Sequence, residues 1–226
     1  MRNILVVLLV LGLAACSTSR GFDRGNLRAL SADQKVVTEE DIAKAFALKP
    51  QLPAPFRLAV YFSPKAYGSW RWRGDDKDRL LQMGAELKSR KIISDMVVID
   101  DYILEGDGRK AVRLAAARAG ADAVLIVNGS SDIDRYNNAL GATYVLLVTP
   151  LFVPGTVADG LFIANASMWD VRNQYLYLSA EAEATASETR PAFFIEEAHV
   201  IKEAKAEALS VLAKKLSGQL SSMAAK

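Results

Sequence analysis

Three short apolar runs alternate with two helical patterns in the first half of the chain. The runs cover residues 57–62, 96–104 and 121–127, and each has the length of a sheet strand. The helical patterns lie between them, at about residues 75–90 and 109–119. This order of elements predicts one sheet with helices packed on it.

The second half predicts an antiparallel hairpin followed by a long helix. Residues 161–171 and 175–184 flank a polar turn, and the second segment alternates between apolar and polar residues, as a strand with one solvated face does. Pro191 can start the last helix. Its apolar positions keep helical spacing almost to the end of the chain: Ile201, Ala204, Ala208, Leu212, Leu216 and Leu220. The predicted fold is therefore α/β (α+β), with a single mixed sheet and a long C-terminal helix.

The N-terminus has the pattern of a bacterial lipoprotein signal. Arg2 precedes an uncharged apolar segment, residues 4–13, that is too short to span a bilayer. Leu13-Ala14-Ala15-Cys16 then resembles the lipobox, where a lipoprotein signal peptidase cuts before a diacylated cysteine. An ordinary signal peptide is the alternative, but Cys16 is the only cysteine of the chain. We expect a signal peptide over residues 1–15 and a covalent lipid on Cys16.

A lipidated Cys16 predicts where the protein works. Two or more acyl chains anchor a protein stably, whereas one chain binds reversibly. By the Gram-negative sorting rule, Ser17 favours the outer membrane, with the domain facing the periplasm. That compartment permits disulfides, but an acylated Cys16 leaves no cysteine to form one. The formal net charge of +2 gives no electrostatic argument for a nucleic-acid partner.

Residues 16–55 predict a connector between the lipid and the domain. Residues 17–31 are mostly small, polar or charged, which is typical of a flexible tether. Thr38-Glu39-Glu40-Asp41 has the spacing of a capping box, and apolar residues on one helical face follow it, so a short amphipathic helix is expected before Pro50. The periplasmic domain is predicted over residues 56–226.

The residue inventory predicts neither an active site nor a metal centre. His199 is the only histidine, and the sequence contains no nucleophile elbow with which it could form a catalytic triad. An acylated Cys16 leaves almost no soft metal ligands. Asp132-Ile133-Asp134 lacks the glycine and the bidentate glutamate of a calcium loop, so a solvated turn is favoured. Capping and solvation explain the adjacent acidic pairs Asp75-Asp76, Asp100-Asp101 and Glu196-Glu197. We expect no enzyme, and no cofactor apart from the lipid.

A loop rich in tryptophan and arginine is the first candidate for contact with other molecules. It contains Trp70, Arg71, Trp72 and Arg73. If the loop is extended, both indoles lie on one side, a pattern suited to a membrane interface, a glycan or a protein partner. The alternative is that the tryptophans fold back onto the domain while the arginines pair with the neighbouring aspartates.

The second candidate is the uncharged, strongly apolar stretch from Gly141 to Val153. It is too short to span a bilayer as a helix. A buried strand is the favoured interpretation. The other is a segment that contacts membrane or mediates self-association, as exposed apolar patches often do.

Three motifs carry a resemblance to a known family. They are residues 117–125 (ARAGADAVL), Val153-Pro154-Gly155-Thr156, and Trp169-Asp170-Val171-Arg172 followed by Tyr175-Leu176-Tyr177. They resemble the rhombotarget lipoproteins, a family associated with bacteria that carry the rhombosortase system. The motifs are structural, so the resemblance supplies no active-site residue. The element order is also similar to curli-secretion lipoproteins and penicillin-binding-protein activators, whose domains bind partners.

Together these features predict an outer-membrane lipoprotein with a non-enzymatic domain. The domain is expected to bind envelope proteins or to assist assembly or secretion. A glycan- or lipid-binding module that uses Trp70 and Trp72 is the alternative. Self-association into a homo-oligomer is left open.

Overall fold

The computed structural model describes residues 18–31, 37–68 and 70–224. Its strands are β1 Phe56–Tyr67, β2 Ile93–Ile99, β3 Ala123–Asn137, β4 Thr156–Asp170 and β5 Leu176–Arg190. They form one five-stranded sheet in the order β2-β1-β3-β4-β5. β1 is parallel to β2 and β3, whereas β3, β4 and β5 are antiparallel neighbours. The predicted single mixed sheet, with its antiparallel hairpin, is confirmed.

Five α-helices accompany the sheet within the described part of the chain. They are α1 Arg24–Ser31, α2 Glu39–Ala47, α3 Gly74–Ser89, α4 Gly108–Arg118 and α5 Glu197–Ala224. Short 3-10 turns occur at Asp101–Ile103, Ala139–Leu146 and Thr149–Leu151. Within the same described ranges, none of the helices combines the length and the apolarity required to cross a membrane.

The long helix α5 covers one face of the sheet together with α3. All six apolar positions predicted for α5 are at most 3% exposed, and they pack with buried residues of the sheet such as Leu58, Leu125 and Phe162. Gly160 on β4 permits close approach, because a Cβ there would lie 2.9 Å from the Val200 side chain. The helix begins at Glu197 rather than at Pro191, so residues 191–196 connect β5 to the helix as an irregular segment.

Two helices share the opposite face of the sheet. The small residues of α4, including Ala115 and Ala116, pack against Ala59, Val124 and Ile126. Farther along the same face, α1 covers the second half of the β3–β4 hairpin. The capping box at the start of α2 is confirmed, since the Thr38 hydroxyl accepts the Asp41 amide at 3.2 Å and the Asp41 carboxylate accepts the Thr38 amide at 3.1 Å.

The strands differ from the prediction in their lengths. β2 ends at Ile99, so residues 102–104 lie outside the sheet. β3 continues through the polar segment after residue 127 to Asn137, because each of its residues pairs with one on the apolar strand β4. The helical spacing of the sequence also predicts Leu80, Leu81, Gly84 and Leu87 on the buried face of α3, but Leu81 is 37% exposed.

Candidate functional site

Asp134, near the end of β3, holds the first described residues against the sheet. Its carboxylate accepts the Ser19 hydroxyl at 2.5 Å, the Gly21 amide at 2.8 Å and the Arg20 amide at 3.2 Å. Asp134 is only 2% exposed. We call these four residues the Asp134 clasp. The prediction of a solvated turn at Asp132-Ile133-Asp134 is wrong, because these residues lie within β3.

The electrostatics of the clasp favour an ionised carboxylate. Burial alone would raise the pKa of Asp134, but the hydrogen bonds from Ser19, Gly21 and Arg20, with the nearby Arg20 charge, outweigh it and lower the pKa below its ordinary 3.8. The Arg20 guanidinium also donates to the Ile133 carbonyl oxygen at 2.6 Å. Hydrogen bonds to a charged acceptor are stronger than neutral ones, so the clasp is a firm attachment.

Helix α1 extends this attachment across the sheet. Leu27 is 7% exposed and packs against Leu161 and Ile163 of β4. Ion pairs then join α1 to β5: Arg24 to Glu183, and Arg28 to both Glu181 and Glu183. The structure thus differs from the expected flexible tether, since residues 18–31 pack on the domain. Cys16 and the rest of the lipobox lie outside the described residues.

Trp70 and Trp72 fold back onto the domain, as the alternative interpretation of their loop predicted. The Trp70 ring meets the Phe162 ring edge-to-face at a centroid distance of 4.7 Å, and the Trp72 ring meets Phe62 at 5.3 Å. The Trp72 Nε1–H donates to the Ser63 carbonyl oxygen at 2.8 Å. Both indoles are half-buried, whereas the side chains that alternate with them, those of Arg71 and Arg73, are exposed.

A buried ion pair, which the sequence interpretation missed, fixes this loop to α5. Lys205 donates to Asp76 at 2.5 Å and to the Arg71 carbonyl oxygen at 2.8 Å, and its ammonium lies 5.5 Å from the Trp70 ring centroid. The two charged side chains are 3% and 8% exposed. Asp76, one of the two aspartates predicted to pair with the arginines of the loop, therefore forms its ion pair with Lys205. A lysine four positions after Ile201, on the apolar stripe of α5, was the signal that could have revealed the pair.

The apolar stretch from Gly141 to Val153 is not a buried strand, so that prediction is wrong. Residues 139–155 form the tip of the β3–β4 hairpin and fold into 3-10 turns. The Tyr144 hydroxyl braces the tip from within, accepting the Gly155 amide at 2.9 Å and donating to the Val153 carbonyl oxygen at 3.0 Å. Apolar side chains point outward as a result, with Leu147 85% and Phe152 77% exposed.

Two of the titratable residues singled out in the sequence, His199 and Asp101, contact identified partners. The His199 side chain is 46% exposed and lies 3.2 Å from Glu203, one helical turn along α5. Asp101 accepts the Tyr61 hydroxyl at 2.7 Å, and burial together with this hydrogen bond raises the pKa of Tyr61. In the regions that the structure describes, no three His, Cys, Asp or Glu side chains are grouped so as to hold a metal ion.

Comparison with known proteins gives remote structural similarities. No family model matches the chain, and no curated protein matches it. Among solved structures, a minor lipoprotein from Acinetobacter baumannii is 12% identical, with 76% of this chain and 94% of that chain covered and a TM-score of 0.40. The C-terminal domain of LpoB from Salmonella enterica is 12% identical over 63% and 90%, with a TM-score of 0.31.

A third similar structure is the lipoprotein GNA1162 from Neisseria meningitidis. It is 13% identical, with 73% of this chain and 99% of that chain covered and a TM-score of 0.32. These three neighbours are bacterial lipoproteins, but TM-scores this low carry no argument about function. Membership of the rhombotarget lipoprotein family stays a prediction.

Proposed function

We propose that this protein is a lipoprotein anchored through Cys16 to the periplasmic face of the outer membrane, where its domain serves as a non-enzymatic accessory that binds envelope proteins. The Asp134 clasp is the observation that supports this proposal. Cys16 stands three positions before Ser19. Because an extended chain spans about 3.6 Å per residue at most, the lipidated residue lies within about 11 Å of the clasp.

A link this short between the lipid and the domain limits the orientations that the domain can take above the membrane. A long flexible tether lets a domain sample many orientations above a membrane, whereas a fixed attachment restricts them. A partner then meets the same face of the domain each time, so less entropy is lost on binding. The buried Lys205–Asp76 pair also restricts motion, in this case of the loop of Trp70 to Arg73. Lys205 bonds to the Arg71 carbonyl oxygen as well as to Asp76, so it fixes the backbone that carries the two exposed arginines.

The anchor is tested by cell fractionation. A Cys16→Ala variant of the full chain should lose its acylated N-terminal peptide in mass spectrometry and should no longer fractionate as an outer-membrane lipoprotein. Thr18→Ala is the matched control, because it leaves the lipobox unchanged and should be processed normally. If the Cys16→Ala protein still fractionates with the outer membrane like the wild type, the lipoprotein assignment is wrong.

Partner binding is tested separately by mild crosslinking in whole cells. The wild-type chain should enrich one or more envelope proteins, and an Arg71→Glu/Arg73→Glu variant should enrich them less. An Arg79→Glu/Arg90→Glu variant is the control, since it makes the same charge change at exposed positions of α3 and its C-terminal cap. Absence of any enriched envelope protein from the wild-type sample would contradict the proposal.

A further inference from the structure

The end of the sheet that carries the Asp134 clasp is also strongly apolar. Asp134 lies three residues, or about 10 Å, before Asn137 at the end of β3. Asn137 pairs with Thr156, and Thr156 pairs with Arg190, so the hairpin tip and the segment after β5 meet at this end. Arg135 holds that segment in place by donating to the Ala192 carbonyl oxygen at 2.9 Å.

Eight exposed apolar side chains are gathered there, and together we call them the apolar end. Six come from the hairpin tip and two from the segment after β5: Leu140 49%, Leu146 61%, Leu147 85%, Val148 62%, Leu151 40%, Phe152 77%, Phe193 71% and Phe194 53% exposed. Residues 139–155 contain no charged residue. An apolar surface of this kind marks a site of contact with another molecule.

The backbone at the tip supports a functional role for this exposure. Leu147 has φ +54°, in the left-handed region that a residue with a Cβ adopts only at an energetic cost. It is nevertheless the most exposed side chain of the tip. Backbone strain of this kind persists where the surrounding structure enforces it, and it clusters at functional sites. Here the Leu147 amide donates to the Tyr144 carbonyl oxygen at 3.1 Å, and the Tyr144 side chain is itself held by Val153 and Gly155.

We propose that the apolar end inserts into the lipid surface that holds the Cys16 anchor. The inference rests on the proposed function, because the lipid on Cys16 determines which surface lies nearby. Only two residues, Ser17 and Thr18, separate Cys16 from Ser19, so chain length limits the anchor to about 11 Å from the clasp. The clasp in turn lies one short stretch of strand from the apolar end. Interfacial segments of this kind bury their apolar side chains about 5–10 Å into the headgroup boundary.

A lipid surface suits the apolar end better than a protein partner or a second copy. Protein interfaces carry polar contacts, about one hydrogen bond per 100–200 Å². The hairpin tip instead directs its tyrosine hydroxyl inward, to Val153 and Gly155, and presents apolar side chains outward. Insertion would also orient the molecule, since the β4–β5 turn lies at the other end of β4 and would point away from the membrane.

The test uses the full lipidated chain in vesicles of phosphatidylethanolamine and phosphatidylglycerol with brominated acyl chains. A Leu147→Trp variant places an indole at the apolar end, and Leu176→Trp places one at the opposite end of the β4–β5 hairpin, at a leucine that is 44% exposed. Contact with bromine quenches indole emission. Relative to the wild type, the emission added by Leu147→Trp should fall roughly twofold or more, and that added by Leu176→Trp should be unchanged.

A second variant ties the quenching to apolar insertion. Phe152→Glu in the Leu147→Trp background should lower the bromine-quenched fraction about tenfold, because burying a charged side chain among acyl chains is costly. Equal quenching of the two tryptophan probes, or no quenching of either, would overturn the inference. So would a Leu147→Trp probe that is shielded from aqueous iodide but not quenched by bromine, which would indicate a protein contact at this end.

Mass analysis of the same samples separates this inference from the proposed function. An acylated N-terminal peptide with an unquenched Leu147→Trp probe would retain the lipoprotein assignment and overturn insertion of the apolar end. A chain without acylation at Cys16 would instead remove the lipoprotein assignment, and with it the lipid surface on which insertion depends.

Discussion

A single carboxylate decides how residues 18–31 are attached to the domain. Replacing Asp134 with alanine removes the acceptor of the Ser19 hydroxyl and of the Gly21 and Arg20 amides. Because a hydrogen bond to a charged group contributes about 1.5–3 kcal/mol, docking of this segment should weaken by about 2–3 kcal/mol. Faster amide exchange over residues 20–31, with unchanged exchange in the core of the sheet, would show the weaker docking. Asp132→Asn, which touches only one partner of the clasp, should have a smaller effect.

The same carboxylate predicts a pH dependence. The pKa of Asp134 is lower in the folded chain than its ordinary 3.8. The clasp therefore keeps its full stability above that value and loses it as the pH falls through the lower, folded pKa. The exchange rate at each pH is divided into the intrinsic rate of an unprotected chain, which itself rises with pH through base catalysis, to give a protection factor. The protection of residues 20–31 should be constant above pH 5 and fall in acid before the sheet unfolds. A change in protection between about pH 5 and 8 instead would exclude Asp134 as the group responsible.

Lys205 carries a charge whose removal would leave the buried Asp76 without an ion-pair partner, with the Arg73 amide, at 2.8 Å, still donating to its carboxylate. A Lys205→Ala variant would bury an unpaired Asp76 and should lower the free energy of unfolding by about 3–5 kcal/mol. Lys205→Met together with Asp76→Asn should retain more stability, because it removes both charges and keeps most of the volume. Urea unfolding distinguishes the two variants. Equal losses in both would mean that packing, not charge pairing, dominates at this site.

Among the helices and strands, those with a regular apolar period could be predicted from the sequence, whereas segments that depart from such a period could not. The apolar spacing of α5 identified every predicted buried position on that helix, because one long face packs on one sheet. The length of β3 was missed, since its polar second half is held by pairing to β4 and by α1, which contributes the buried Leu27. The sequence predicts a strand at the hairpin tip because its outward apolar side chains have the same composition as buried ones.

The loop of Trp70 to Arg73 depends on a space that only glycine leaves in β3. A Cβ at Gly129 would lie 2.6 Å from the Phe162 ring and 2.7 Å from the Trp70 ring. Gly129→Ala should therefore destabilise the fold by about 1–3 kcal/mol and red-shift tryptophan emission as Trp70 moves outward. Gly218→Ala in α5 meets nothing within 4 Å and should stabilise the protein slightly. A blue-shifted, fully stable Gly129→Ala variant would contradict this account of the loop.

In the whole molecule, helices lie on both faces of the sheet, and β5 forms one of its edges. β5 is a 15-residue edge strand, and long unprotected edges pair with other chains. Two side chains of α5 cover it: the Lys215 ammonium donates to the Glu181 carbonyl oxygen at 2.7 Å, and the Gln219 amide donates to the Ser179 carbonyl oxygen at 3.4 Å. The long helix thus packs on the sheet and also occupies edge acceptors that a second copy would need.

Removing this cover should change the association state rather than the fold. A Lys215→Ala/Gln219→Ala variant frees the two carbonyl oxygens of β5, so it should form dimers or larger species at concentrations where the wild type does not, while the far-UV circular dichroism stays the same. Sedimentation velocity measures the difference, and Lys214→Ala controls for loss of an exposed lysine on the same helix turn. If the double variant sediments like the wild type, edge pairing is prevented by the twist and charge of β5 itself, and α5 acts on the sheet only through its buried face.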